Sequence, residues 1–144
     1  MKIAIVADWL VTYGGAEHVL ASLHSLWPAA PIFTTVTRKS ELGPLQHADI
    51  RPVPRLQRLY RLTKRHQPLL PLMPPALESV DLSGYDVVLS SSHAVGKGVI
   101  AAPTSRHICY CHTPMRYAWE MEEGYLDDFG IRWPFRRPIK KMLS

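Results

Sequence analysis

Hydrophobic positions set the reading frame of this chain. Lys2 to Ala7 is a short apolar run in which Ile3, Ile5 and Val6 follow without alternation, the pattern of a strand buried on both faces of a parallel sheet. Asp8 to Tyr13 then reads as a loop, and Gly14-Gly15 opens a helix that runs to about Leu26. Its apolar positions Ala16, Val19, Leu20, Leu23, Leu26 and Trp27 recur at helical spacing, and Pro28 stops it. Ile32 to Val36 predicts a second strand and Ile50 to Val53 a short third one. From Pro54 to His66 the period is helical again, with Arg55, Arg58, Arg61 and Arg65 on one side and Leu56, Leu59 and Tyr60 on the other. Residues 67–80 are apolar and interrupted by Pro68, Pro71, Pro74 and Pro75, which predicts a proline-broken helix.

After the Ser83-Gly84 turn, Tyr85 to Ser90 predicts strand four, followed by a polar loop from Ser91 to Gly98. His107 to Cys111 predicts a buried strand five, and Met115 to about Glu122 a helix with Pro114 at its start. Alternation of strands and helices in this order predicts an α/β fold: a Rossmann-like parallel sheet with helices on both faces. Ligands of such sheets sit beyond the carboxyl ends of the strands. Three polar segments fall there, Asp8 to Glu17, Ser90 to Lys97 and His112 to Tyr117.

At 144 residues the chain has the length of one domain, and 47% hydrophobic content supplies an ordinary core. No apolar run approaches a bilayer span. Asp8 and Trp9 cut the first run too short for a signal peptide, so the default compartment is cytoplasmic. Charge is more informative than composition. Residues 51–66 hold Arg51, Arg55, Arg58, Arg61, Lys64 and Arg65 with no acid, and residues 132–141 hold Arg132, Arg136, Arg137, Lys140 and Lys141, also with no acid. These stretches carry eleven of the seventeen basic residues; a single charge run is usually a solvated face, but two acid-free runs in a short chain favour an anionic partner. Nucleic acid fits poorly, because apart from Tyr60 no aromatics interleave with the basic face.

The candidate chemistry is mostly defined by exclusion. Gly14-Gly15 lacks the G-x-G-x-x-G spacing, and Thr37-Arg38-Lys39 after strand two offers no acid for a ribose, which argues against an NAD dehydrogenase. The glycines nevertheless bare backbone amides at a helix start, where an anion is favoured; the alternative is a tight turn packing helix on strand. Val95-Gly96-Lys97-Gly98 resembles a P-loop fragment without its Ser/Thr or leading glycine. Ser90-Ser91-Ser92-His93 lacks the G-x-S-x-G elbow of a hydrolase. His112, at the end of strand five, is placed to hydrogen-bond a sugar hydroxyl or a reacting centre in the cleft near Gly14-Gly15; the alternative is a histidine capping the next helix. Cys109 and Cys111 read as reduced and buried, and the cluster His107, Cys109, Cys111, His112 is too compact in sequence for a tetrahedral metal site, so no metal is expected.

Together these segments resemble a known family. Lys2-Ile3-Ala4-Ile5-Val6, Asp8-Trp9-Leu10, Gly14-Gly15-Ala16-Glu17, Pro68 to Met73, Asp81 to Asp86, Ser90 to His93 and Tyr110 to Tyr117 are similar, in the same order, to family 4 glycosyltransferases, with bacterial mannosyltransferases of polysaccharide synthesis as the nearest subgroup. The similarity runs to about Leu126; Ala7 stands where relatives often have His, and His18 where they often have Arg. The resemblance implies the N-terminal half of a GT-B fold, residues 1–130 as the acceptor-side domain and 131–144 as a basic tail or interdomain connection. It implies a retaining, metal-independent hexosyltransferase with a nucleotide sugar, GDP-mannose, as co-substrate and a lipid-linked or glycan acceptor. By residue, it implies Gly14 and Gly15 at the donor phosphates, His112 at the reacting sugar, and Asp8, Tyr13, Ser92, His93, Lys97 and Arg116 toward the acceptor. Arg55, Arg58, Arg61 and Arg65 would face anionic lipid on the inner surface of the plasma membrane. The donor domain of such enzymes, with its glutamate motif, has no counterpart up to Ser144, so the expectation is that this polypeptide alone transfers no sugar. The competing expectation is a non-catalytic nucleotide- or sugar-phosphate-binding module.

Overall fold

Five consecutive buried residues, Ile3–Ala7, form β1, and their burial on both sides requires a covering layer on each face. A computed structural model describes residues 1–113 and supplies both layers. Beside β1 lie β2 (Ile32–Thr34) and β3 (Ile50–Pro52) on one side, and β4 (Val87–Ser92) and β5 (Arg106–Cys111) on the other. The order is β3-β2-β1-β4-β5 and every pairing is parallel. The chain leaves β1 in one direction, returns, and resumes on its other side, so β1 and β4 flank a topological switch point. This is an α/β Rossmann-like sheet with helices on both faces.

The period of two along β1 divides the core. Ile3, Ile5 and Ala7 face α1 (Gly15–Leu26) through Leu20, together with Leu42 and Leu45 from 3₁₀ turns between β2 and β3. Ala4 and Val6 face the opposite way, where Leu77 of α3 (Met73–Glu78) and Leu82 cover them. Alongside, Leu56 and Tyr60 of α2 (Pro54–Thr63) pack with Val36, Leu69 and Met73. The proline-rich stretch divides as its composition suggests, into a 3₁₀ segment at Gln67–Leu72 followed by the short α3.

Three differences from the sequence reading have physical causes. Strand four lies two residues later than expected, because Ser91 and Ser92 continue the strand beyond Ser90 instead of opening the loop. The three hydroxyls bond His107, His112 and Asp8, which makes burial of three consecutive serines tolerable. The helix from Pro54 ends at Thr63, with Lys64 left-handed at φ 54°, so Arg65 lies past the helix; Leu59, expected inward, is 40% exposed. Finally, β5 is the edge of the described sheet, and all six of its residues, including Cys109 and Cys111, are exposed rather than buried; both thiols are free.

One side chain completes the sheet where the backbone ends. The carboxamide of Gln57 on α2 accepts from the Thr37 amide at 2.8 Å and donates to the Thr37 carbonyl at 2.9 Å, taking the role of a neighbouring strand. Leu10 bridges Thr37 from the other side, so pairing continues past the end of β1.

Candidate functional site

Aspartate at the end of a buried strand must find partners or neutralise. Asp8 is 2% exposed and finds many: its carboxylate accepts from Ser92 Oγ at 2.8 Å and from the amides of His93 (2.8 Å), Ala94 (3.1 Å), Val95 (2.8 Å) and Gly96 (2.5 Å). His93 Nδ1 adds a contact of 2.9 Å to Oδ2. Burial opposes ionisation, but the hydrogen bonds from the His93 side chain and from the Gly96 and His93 amides, with the charge that His93 carries whenever it is protonated, outweigh it, holding the carboxyl at about 2. Successive amides converging on one anion form a nest of the kind that binds phosphate. Here the anion is the protein's own. Gly96 is required by this closure, since a Cβ there would stand 3.1 Å from Asp8 Oδ1 and 3.3 Å from Ser92 Cβ. The P-loop-like glycine in Val95-Gly96-Lys97-Gly98 thus serves Asp8, and Lys97 projects exposed from the turn.

Around the switch point, Asp8, Trp9, Ala16, Glu17, Ser91 and His93 line a small crevice. Ser91 and His112 share the α1 face of the sheet, and Ser91 Oγ and His112 Nε2 are 2.8 Å apart. Ser91 thus connects His112 to the crevice that Ala16 and Glu17 of α1 also line. Ser92, by contrast, points to the opposite face and is committed to Asp8. Among the three serines it is Ser91 that reaches the crevice.

The helix start differs from the expectation in one respect. Glu17 reaches back and accepts the Gly14 amide at 2.9 Å, so that amide already has an anion. A Cβ on Gly15 would meet nothing within 4 Å, and Gly14 would meet only the Glu17 carboxylate at 3.3 Å; neither residue has positive φ. Tight packing of helix on strand therefore does not account for the glycine pair. Tyr13 turns away from the crevice. Its ring packs against the α1-side core, tilts on His18 at 4.3 Å and covers Gly43, whose φ is +51°. Arg55, Arg58, Arg61 and Arg65 are exposed, with Leu62 among them 81% exposed. Arg116, the helix expected from Met115 and the boundary at 130 lie outside the described residues.

Two residues that the sequence reading passed over stand at this edge. Trp9 lies between His66, stacked at 5.0 Å, and His93, edge-on at 4.7 Å. Burial pushes the His66 imidazole below its ordinary range, and the charge of His93, whenever it is protonated, adds to the effect. Nothing in the local sequence links His66 to Trp9; only the α2 crossover joins them. Among the described residues no group of three His, Cys, Asp or Glu side chains is placed to hold a metal ion.

Fold and crevice together define an α/β domain of Rossmann-like type, a fold compatible with nucleotide or sugar binding. No family model, curated protein or solved structure matches the chain.

Proposed function

We propose that this domain is the acceptor side of a retaining glycosyltransferase, binding a lipid-linked or glycan acceptor while a second domain presents a nucleotide sugar, GDP-mannose, across the crevice. One observation carries the reading: His112 is tethered to Ser91, and Ser91 shares its crevice with Ala16 and Glu17 at the start of α1. Segments that the resemblance assigns to one active site thus adjoin, although about a hundred residues separate them in sequence. In this reading His112 meets the reacting sugar through Nδ1, since Nε2 is held by Ser91. The open space over Gly15 admits the donor diphosphate, and Glu17 must swing aside for the Gly14 amide to join it. The arginines of α2, with Arg65 and Leu62, rest on anionic lipid at the inner face of the plasma membrane. No helix among the described residues is long and apolar enough to cross a membrane.

Titration of ¹⁵N-labelled protein with GDP-mannose tests the reading. The expected result is a shift of the Gly15 amide and the His112 ring in one saturable phase. Shifts confined to the α2 arginines would overturn it.

A further inference from the structure

The crevice has a chemical bias of its own. Among the described residues its lining includes two carboxylates, Asp8 and Glu17, and neither lysine nor arginine. Asp8 is spent on its nest, so Glu17, Ser91 Oγ and His93 offer the polar atoms. His93 is the decisive one. Its Nδ1 lies 2.9 Å from an Asp8 carboxylate oxygen that can only accept, so Nδ1 carries the proton. Its side chain is 26% exposed, and among the described residues its one polar side-chain contact is through Nδ1, which leaves Nε2 open. The Trp9 ring supports the imidazole edge-on and limits its rotation. A neutral imidazole in this tautomer presents a lone pair at Nε2. A hydroxyl can donate to that lone pair, whereas a phosphate oxygen at His93 is repelled by it.

We propose that Asp8 is a positioning residue acting through His93: it fixes the Nδ1–H tautomer, so that Nε2 selects a ligand hydroxyl over a phosphate oxygen at this crevice. Buried carboxylates orient imidazoles in this way in hydrolase and metal sites. The inference rests on the sugar-transfer reading only for the ligand class, a neutral sugar carrying free hydroxyls. Asp8, expected from the sequence to touch the acceptor itself, acts one residue removed.

The test reads imidazole ¹⁵N resonances in mildly alkaline solution, where ordinary histidines are neutral. Methyl α-mannoside is the neutral probe and inorganic pyrophosphate the anionic one. His93 is expected to carry its proton on Nδ1, to shift at Nε2 with the glycoside, and to ignore pyrophosphate. His93→Phe, which keeps a ring against Trp9, is expected to weaken glycoside binding about 10-fold, the value of one neutral hydrogen bond. Asp8→Asn is expected to move the proton to Nε2, because its amide can donate to Nδ1; if that variant does not fold, the wild-type tautomer and His93→Phe decide the matter. A wild-type proton on Nε2, or pyrophosphate shifting His93 where the glycoside does not, would overturn the proposal. Glycoside shifts at His112 and Gly15 that leave His93 unmoved would overturn it and spare the sugar-transfer reading. Silence of the whole crevice toward glycoside and GDP-mannose alike would end both.

Discussion

Replacing Asp8 with asparagine keeps the shape of the side chain and removes its charge. One amide oxygen can serve either Ser92, Val95 and Gly96 or His93 and Ala94, but the NH₂ group then faces the other set, donor against donor. At least two buried amides lose their acceptor, at roughly 1–3 kcal/mol each, so the expected loss at neutral pH is about 3 kcal/mol. The pH dependence provides an independent check. The carboxyl lies at 3.8 in its ordinary state and at about 2 in the folded protein. A folded-state value below the unfolded one contributes stability above the unfolded value, and that contribution disappears as pH falls toward the folded one. The whole contribution is about 2.4 kcal/mol, of which about 1 kcal/mol is lost by pH 3 and about 2 kcal/mol by pH 2. Urea unfolding of both proteins at pH 7, 5 and 3 measures it, provided the slope against urea is unchanged. The wild type should lose its lead over Asp8→Asn as the solution is acidified. A constant gap, or a gap under about 1 kcal/mol at neutral pH, would refute the account of Asp8 as the ionised anchor of the nest.

Two glycines should respond in opposite ways. Gly15→Ala places its methyl in open space and in a helix, so it should raise stability by roughly 0.5 kcal/mol while weakening GDP-mannose binding; equal binding by the variant would remove Gly15 from the site. Gly96→Ala drives a methyl against Asp8 and Ser92 and should cost about 1–3 kcal/mol, read as a lower urea midpoint. Changing Arg55, Arg58 and Arg61 together to glutamine should weaken binding to vesicles containing phosphatidylglycerol on the order of 100-fold, at about 1 kcal/mol per charge. Equal binding of the wild type to neutral vesicles would refute an electrostatic contact.

The first half of the fold was legible because each element there has a local cause. β1 is an uninterrupted apolar run, α1 begins at glycine and ends before Pro28, and β2 is a short run of β-branched and aromatic residues. Legibility fell where a residue's partner is distant in sequence. Ser91 and Ser92 read as loop until His112 and Asp8 are known to meet them. Lys64 adopts a left-handed helix cap that no local pattern announces. The strand of His107 to Cys111 was placed correctly, but its burial depended on whether it had a neighbour, which the pattern of one strand does not encode. At the site, the pairing of β4 with β1 and β5 at the carboxyl ends of the strands followed from topology alone. The direction of each side chain did not: Ser91 rather than Ser92 reaches the crevice, Tyr13 packs inward, and Trp9 joins two histidines. A hint was present for Asp8, since an acid ending a buried strand and a glycine-containing turn after a parallel strand are complementary.

The loop that closes on Asp8 is, in effect, a binding site delivered with its ligand attached. Because that ligand is tethered, its local concentration does not vary with the phosphate or salt around the protein, and no competitor in the medium can dilute it out. The turn from His93 to Gly96 is therefore preset above the titration range of one carboxyl group, and His93 and Trp9 meet whatever enters the crevice from a frame that is already assembled.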